Sequence, residues 1–370
     1  NGDVCEAMVA AKSSGRPDHP KDIATAYFIR GHENPHQTLR LLNRIYRPHH
    51  VFLVHFDVGA DPVVRKEVSA SIQALYGLDG NVRILPPRLV KYMGFELLFL
   101  DLVAIRTLLN MHDMHWDYFI NLSSQEYPML SQETIQEYLW HLYGHNFLDI
   151  WCPYELAPSY KQNRIDLLHV SGDRTAKVNG QAFNRKEDRP VGAELGLGSF
   201  YVTLSRPFCA SLFEDPVLLD LLSYMRGVRI PDELFFVSSI LSSRRFRCTL
   251  FNTNFRFTGW GRSNLFDKMR CSLEEKIITA KGKYYLKGGS HPCILGPKEL
   301  VEASKLAGPI SFFANKFDEK MDSSGLDVLD QKLNAAKLAQ QEASVVKVLP
   351  WLERSFPHPL HCPNYHGRGI

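Results

Sequence analysis

The chain of 370 residues is 45% hydrophobic and 22% charged, with 24 glycines and 21 prolines, which excludes disordered, fibrous and low-complexity architectures. Its 43 Lys and Arg stand against 40 Asp and Glu, a net +3, and the basic residues are scattered. Charge therefore argues for neither a nucleic-acid surface nor an anionic-membrane patch, and any anionic ligand must be held by local charges. The most apolar stretch, Leu97 to Leu109, is broken by Asp101 and Arg106 and falls short of the roughly 18 residues of a membrane span.

In chain order, residues 1–22 are expected to be the remnant of a stem. Ile23 to Ile29 and Val51 to Phe56 are β-branched and aromatic runs of strand length, and Leu39, Leu42 and Ile45 between them have helical spacing. Asp61-Pro62 predicts an N-cap with proline in the first turn, followed by the apolar stripe Val64, Val68, Ile72 and Leu75. Val82 to Leu85 is a third strand, Phe95 to Met111 a mostly apolar helix and Tyr118 to Leu122 a fourth strand, after which Ser131 caps a helix. Such alternation predicts an α/β fold with a mostly parallel, Rossmann-like sheet, helices on both faces and a ligand site beyond the carboxyl ends of the strands. Asp57, Tyr92, Ser123 and Ser124 are placed at or just after those ends.

Residues 154–197 are polar and predict an irregular loop that shapes a substrate groove. Beyond it, Gly198 to Leu204 predicts a strand, Pro207 to Tyr224 and Asp232 to Leu241 helices, Cys248 to Phe251 a strand, and Leu326 to Ala343 a terminal helix. A single domain over residues 23–345, with a tail of 346–370 packed on it, is expected. The seven cysteines show no C-x-x-C pair, so they fit either up to three disulfides of a secretory protein or the buried thiols of a cytosolic one. The tail, with Cys362 among prolines, favours disulfides. Its His358, His361, Cys362 and His366 are a weaker metal-binding candidate.

Phosphate-loop, dinucleotide-binding, nucleophile-elbow and H-E-x-x-H motifs are all missing, as is any Asp-x-Asp pair to hold a divalent cation against a diphosphate. Two clusters carry chemistry. In Arg229 to Phe236, Pro231 and Asp232 start a helix and put Glu233 in its first turn, where a carboxylate either serves as a general base or compensates the helix dipole. In Ser311 to Asp318, Lys316 lies among aromatic residues, where it either meets a phosphate or snorkels to Asp318.

Five segments in the same order, spanning roughly residues 23–330, resemble the branching glycosyltransferases of family fourteen, which include peptide O-xylosyltransferase, core-2 and I-branching β-1,6-N-acetylglucosaminyltransferases and plant β-glucuronosyltransferases. They are Leu41 to Asp57, Phe119 to Pro128, Gly198-Ser199 before a strand, Pro231-Asp232-Glu233 and Phe312 to Asp318. The resemblance implies a GT-A-like fold, inverting transfer from a UDP-sugar to a glycan or glycoprotein hydroxyl, no cofactor and no metal. It also implies disulfides and the luminal part of a type II membrane protein of the Golgi, touching the membrane only through an anchor outside this sequence.

By similarity Glu233 is the general base and Lys316 a diphosphate ligand, while Asp57 and Tyr92 hold the uracil or ribose. One carboxylate suffices, because a nucleoside diphosphate leaves well once its charge is stabilised, unlike the leaving group of a glycosidase. The family's second basic residue, before a cysteine, is missing from Lys287 to Cys293, which leaves Lys287, His291 or Arg262 to replace it. Trp260 is expected to line the sugar site, and Ser123, Ser124, Asp232 and Arg164 to contact substrate. Asn121-Leu122-Ser123 matches a glycosylation acceptor but falls in a strand expected to be buried. The alternative class is a glycan-binding protein of the same fold without transfer activity; a metal-dependent transferase ranks third.

Overall fold

The computed structural model describes residues 15–32, 34–77, 80–171, 174–178, 181–259, 292–306 and 310–339. Trp260, Arg262, Lys287, His291 and the tail from 346 lie outside these residues. The first half is β1 (Thr25–Gly31), α1 (Pro35–Ile45), β2 (Val51–Phe56), α2 (Pro62–Tyr76), β3 (Val82–Ile84), α3 (Phe95–Leu109), β4 (Tyr118–Ser123), β5 (Glu126–Pro128), α4 (Gln132–His141) and β6 (Asn146–Pro153). The expected caps are present: Asp61 accepts from Val63 N at 2.8 Å and Ser131 from Thr134 N at 3.2 Å.

Then come α5 (Ser159–Asp166), the short strands β7 (His169–Ser171), β8 (Arg174–Thr175), β9 (Lys177–Val178) and β10 (Gln181–Ala182), and the long β11 (Gly196–Ser205). The remainder is α6 (Arg206–Ser211), α7 (Pro216–Met225), α8 (Phe235–Ser242), β12 (Leu250–Phe251), β13 (Arg256–Thr258), α9 (Pro297–Leu306), β14 (Phe313–Asn315) and α10 (Ser324–Ala339).

Seven strands form the main sheet in the order β12-β6-β11-β4-β1-β2-β3, with only β11 antiparallel to its neighbours. This is the mostly parallel α/β sheet expected. Both faces are covered, so strand residues are buried whichever way they point, as the apolar runs implied. Tyr27 and Ile29 of β1 pack into one core with α1, α2 and α4, while Ala26 and Phe28 pack into the other with α3. A second sheet, β13-β14-β5, is tied to the first because β5 follows β4 after a two-residue turn and pairs antiparallel with β14, Glu126 opposite Asn315. Gly198 has a steric cause: a Cβ there would lie 2.4 Å from the backbone oxygen of Asp149, where β11 shifts register against β6.

Several expectations need correction. The helix expected over 207–224 is two, α6 and α7, because Pro216 starts a new helix that Asp215 caps through Val217 N at 2.9 Å. Asp232 and Glu233 do not open α8; they form a separate 3-10 turn, Pro231–Glu233. The loop over 154–197 is not irregular throughout, since α5 and four short strands lie in it. Strands β5 and β6 were not anticipated. Cys152 and Cys209 are buried thiols, whereas Cys248 and Cys293 are disulfide-bonded. With two of seven cysteines reduced, five remain, so at most two disulfides form rather than three.

Candidate active site

The carboxyl ends of β1, β2 and β4 carry Arg30, Asp57 and Ser123, and the chain segments that pack across these ends build the site. The turn holding Asp232 and Glu233 is fixed from outside: Ile230 N donates to Met93 O at 3.0 Å, and both residues have left-handed backbones, φ 55° and 64°. For a β-branched isoleucine this conformation costs on the order of 1–3 kcal/mol and persists only where the surroundings impose it.

Glu233, half-buried, accepts from Arg164 Nη2 at 2.7 Å. Arg164 is 4% exposed and sits in the last turn of α5, so the predicted groove segment supplies the partner of the candidate base. Its carbonyl accepts from Arg229 N at 2.9 Å, which ties α5 to the bend between α7 and the turn. Asp232 is 4% exposed, and among the described residues its Oδ1 has no hydrogen-bond partner. Burial, then the charge of Glu233, pushes its carboxyl up to about 7 against the pull of Arg30.

Beneath this turn, Arg30 pairs with Asp101 of α3 at 3.4 Å and lies 5.0 Å over the Phe200 ring. Asp101 is fully buried and its carboxyl is raised by that burial, with Arg30 and Asn121 opposing the shift. Asn121 donates to Asp101 Oδ2 at 3.1 Å and to Phe200 O at 2.8 Å, and it accepts from Val202 N at 2.8 Å. Its side chain is thus fully used and fully buried, which closes it to glycosylation. Glu126 accepts from Arg256 Nε at 2.8 Å and from Ser123 N at 2.7 Å; burial pushes its carboxyl up to about 7.

Lys316 directly follows β14. Its backbone is held by Cys293 O and by Leu295 N, and its neighbour Phe317 N donates to Gln125 O at 2.8 Å. Gln37 Nε2 bridges Ser124 O and Phe317 O at 2.8 and 3.1 Å, so the Ser123-Ser124 turn and the Lys316 segment are brought together. Asp318 accepts instead from Asn34 Nδ2 and Lys320 N, both at 3.1 Å, and among the described residues the Lys316 ammonium has no ion-pair partner. The snorkelling pair with Asp318 is therefore not formed.

Asp57 is placed as expected, just after β2. Both of its carboxylate oxygens accept backbone N–H groups, Gly59 at 2.5 Å and Val90 at 2.6 Å, so it shapes the loop after β2. Tyr92 is not at a strand end: it lies before α3, 70% exposed. Desolvation of its hydroxyl, then the charges of Glu233 and Asp232, raise its phenol. Arg30, Asp101, Asn121, Glu126 and Arg256 were not among the expected site residues. Among the described residues, no group of three or more His, Cys, Asp or Glu can hold a metal ion.

The described residues form an α/β domain built on a mostly parallel seven-stranded sheet. The chain belongs to the Core-2/I-Branching enzyme family, whose sequence model matches residues 25–300. It is similar to human xylosyltransferase 2, 28% identical over 297 residues that make up 80% of this chain and 32% of that protein. It is also similar to the zebrafish (Danio rerio) beta-1,3-galactosyl-O-glycosyl-glycoprotein beta-1,6-N-acetylglucosaminyltransferase 4, 27% identical over 335 residues, 87% of this chain and 72% of that protein. The chain thus spans about a third of the length of the xylosyltransferases it matches.

Proposed function

We propose that this chain is the catalytic domain of an inverting, metal-independent glycosyltransferase that moves a sugar from a UDP-sugar to a hydroxyl of a glycan or glycoprotein. The observation that carries the reading is Glu233, held in a pinned turn by Arg164 at 2.7 Å beside the carboxyl ends of the parallel strands. A carboxylate fixed by one oxygen keeps the other for the acceptor hydroxyl, whose proton it takes as that oxygen attacks the anomeric carbon. Lys316, without a protein carboxylate among the described residues, supplies positive charge to the departing diphosphate. The Asp57 loop and Ser123-Ser124 face the nucleotide; the family resemblance assigns a second phosphate contact to Arg262 or Lys287 and a sugar contact to Trp260. The disulfide-bonded Cys248 and Cys293 support a secretory location, the Golgi lumen.

Glu233→Gln should lower turnover by at least about 10²-fold while UDP still binds, and Lys316→Ala should weaken both UDP binding and turnover, each assayed as UDP release in chelator. Near-normal turnover of Glu233→Gln removes the base assignment, and loss of all activity in chelator removes metal independence. The alternative, a glycan-binding fold without transfer, is motivated by the family's second basic residue being absent from Lys287 to Cys293; a wild-type protein that binds glycan and no uridine nucleotide would establish it.

A further inference from the structure

The apolar stripe of α1 carries an amide. Gln37, Leu41 and Ile45 share a face at helical spacing and all are buried, Gln37 being 1% exposed. A buried amide is costly unless its hydrogen bonds are met, and Gln37 meets three of them with backbone groups of other segments. Its Nε2 donates to Ser124 O at 2.8 Å and to Phe317 O at 3.1 Å, while its Oε1 accepts from Glu319 N at 2.7 Å. Reversing the amide would set its oxygen against two carbonyl oxygens, so a single orientation serves all three groups.

These bonds lead from the sheet to Lys316. Ser124 N donates to Arg30 O at 2.8 Å, which fixes the turn after β4 to the end of β1. Gln37 extends that fixation to Phe317 and Glu319, on the carboxyl side of Lys316; on its amino side Asn315 Nδ2 donates to Tyr201 OH of β11 at 3.2 Å. The outer face of α1 grips the same stretch, with Arg40 Nη1 3.3 Å from Glu319 Oε1 and Arg40 Nη2 2.7 Å from Asp330 Oδ2. Among the described residues no carboxylate pairs with the Lys316 ammonium, so its position is inherited from the backbone. A charge of this kind serves a diphosphate only when held within about 0.5 Å of its productive place.

We propose that Gln37 is a positioning residue, which sets the Lys316 segment against the Ser123-Ser124 turn so that the ammonium meets the diphosphate of the donor. This rests on the reading of Lys316 as the diphosphate ligand. Gln37, buried in the face of α1, does not reach substrate; it acts through the backbone of residues 317–319. Removing its amide leaves Ser124 O, Phe317 O and Glu319 N each short of a partner and loosens the tie between the two stretches.

The test is titration calorimetry with UDP on the wild type, Gln37→Met, Gln37→Asn, Lys316→Ala and the double variant of Gln37→Met with Lys316→Ala. Gln37→Met, which keeps the volume, should raise Kd for UDP about fivefold or more, and Gln37→Asn, one methylene short, should fall between it and the wild type. In the Lys316→Ala background Gln37→Met should change Kd by less than about twofold, because the two act through one ammonium. As a control, Asn146→Ala loses buried bonds to Thr249 Oγ1 and Ser205 N, both 2.8 Å, at the amino end of β6. It should lower Tm comparably and leave Kd for UDP unchanged. Should neither Gln37 variant fold, amide exchange decides: saturating UDP should slow the Glu319 amide in the wild type and not in Lys316→Ala. Unchanged UDP affinity in the folded Gln37 variants, an equal loss in both backgrounds, an equal loss in Asn146→Ala, or an unslowed Glu319 amide overturns the proposal and leaves the Lys316 reading intact. A wild type that binds no UDP, or Lys316→Ala with unchanged affinity, overturns both.

Discussion

The ion pair of Glu126 and Arg256 is the sharpest test of how the two sheets are joined. Both side chains are 0% exposed, Nε to Oε1 is 2.8 Å, and the other guanidinium nitrogens donate to Asn254 O at 2.9 Å and Asn121 O at 3.1 Å. Breaking a buried pair by removing one partner costs about 3–5 kcal/mol, because the partner left behind is a buried charge without compensation. The two halves are not equivalent. A glutamate can escape by taking up a proton, and burial already pushes Glu126 up to about 7 with Arg256 in place; an arginine cannot neutralise itself at all. Arg256→Met should therefore cost about 3 kcal/mol at pH 5 and more at pH 8, while Glu126→Gln should cost at least as much at both.

The sign follows from linkage: a carboxyl raised in the folded state binds its proton more tightly than in the unfolded chain, so stability falls as pH rises from the ordinary value through the folded one. The double variant leaves no buried charge and should regain more than half of either loss. Urea unfolding of the four proteins at both pH values, with midpoints compared at constant slope, measures these terms. A loss under about 1 kcal/mol in either single variant, or no difference between the pH values for Arg256→Met, would refute the reasoning.

Three further outcomes follow from the same geometry. Arg164→Met should lower kcat about tenfold or more with little change in donor KM, and Arg164→Lys should recover part of it; equal kcat in all three proteins would show that Glu233 needs no partner. Asp232, raised from 3.8 to about 7, makes the wild type less stable as pH rises from about 4 to 7, by at most about 4 kcal/mol at 1.36 kcal/mol per tenfold, and Asp232→Asn should flatten that slope in chemical denaturation. Gly198→Ala drives a Cβ to 2.4 Å from a backbone oxygen and should cost about 1–3 kcal/mol, read as a lowered Tm; an unchanged Tm would mean that β11 and β6 can part without penalty.

The alternation of strands and helices through α4 was legible because every element there has its own local signal: period, cap or proline. Leu39, Leu42 and Ile45 announce a helix and Asp61-Pro62 announces the next. Strand β6 was missed because its apolar residues, Phe147, Leu148 and Ile150, are interrupted by Asp149 and follow a glycine-containing turn, so its pairing with β11 is a tertiary fact. Glu233 and Lys316 stood out by chemistry, and the structure brings both to the strand ends. Arg30 and Asp101 had a signal that went unused. A charged residue inside an apolar run is rarely buried unless paired, and Asp101 in α3 and Arg30 at the end of β1 are such residues, each the other's partner across 71 positions. Nothing local tells which charges will meet, because the pairing depends on how α3 packs over β1.

The segment 154–197 is the least regular part of the domain and yet holds the guanidinium that fixes Glu233; under the proposed function this joins acceptor recognition to proton transfer. Arg164 is anchored from three sides of that segment: its own carbonyl takes Arg229 N, the end of the same turn of α5 is locked by Asp166 to Arg189 at 2.6 Å, and Arg185 donates to Tyr224 O at 2.9 Å. A change in the loop that repositions α5 therefore moves Glu233 as well, and under the proposed function acceptor preference and turnover should vary together. The same coupling explains why a charged and nearly buried residue such as Arg164 occupies a stretch that its composition marks as solvent-facing: its partner lies in the turn of Glu233, 69 residues further on, and only the folded sheet brings them within 2.7 Å.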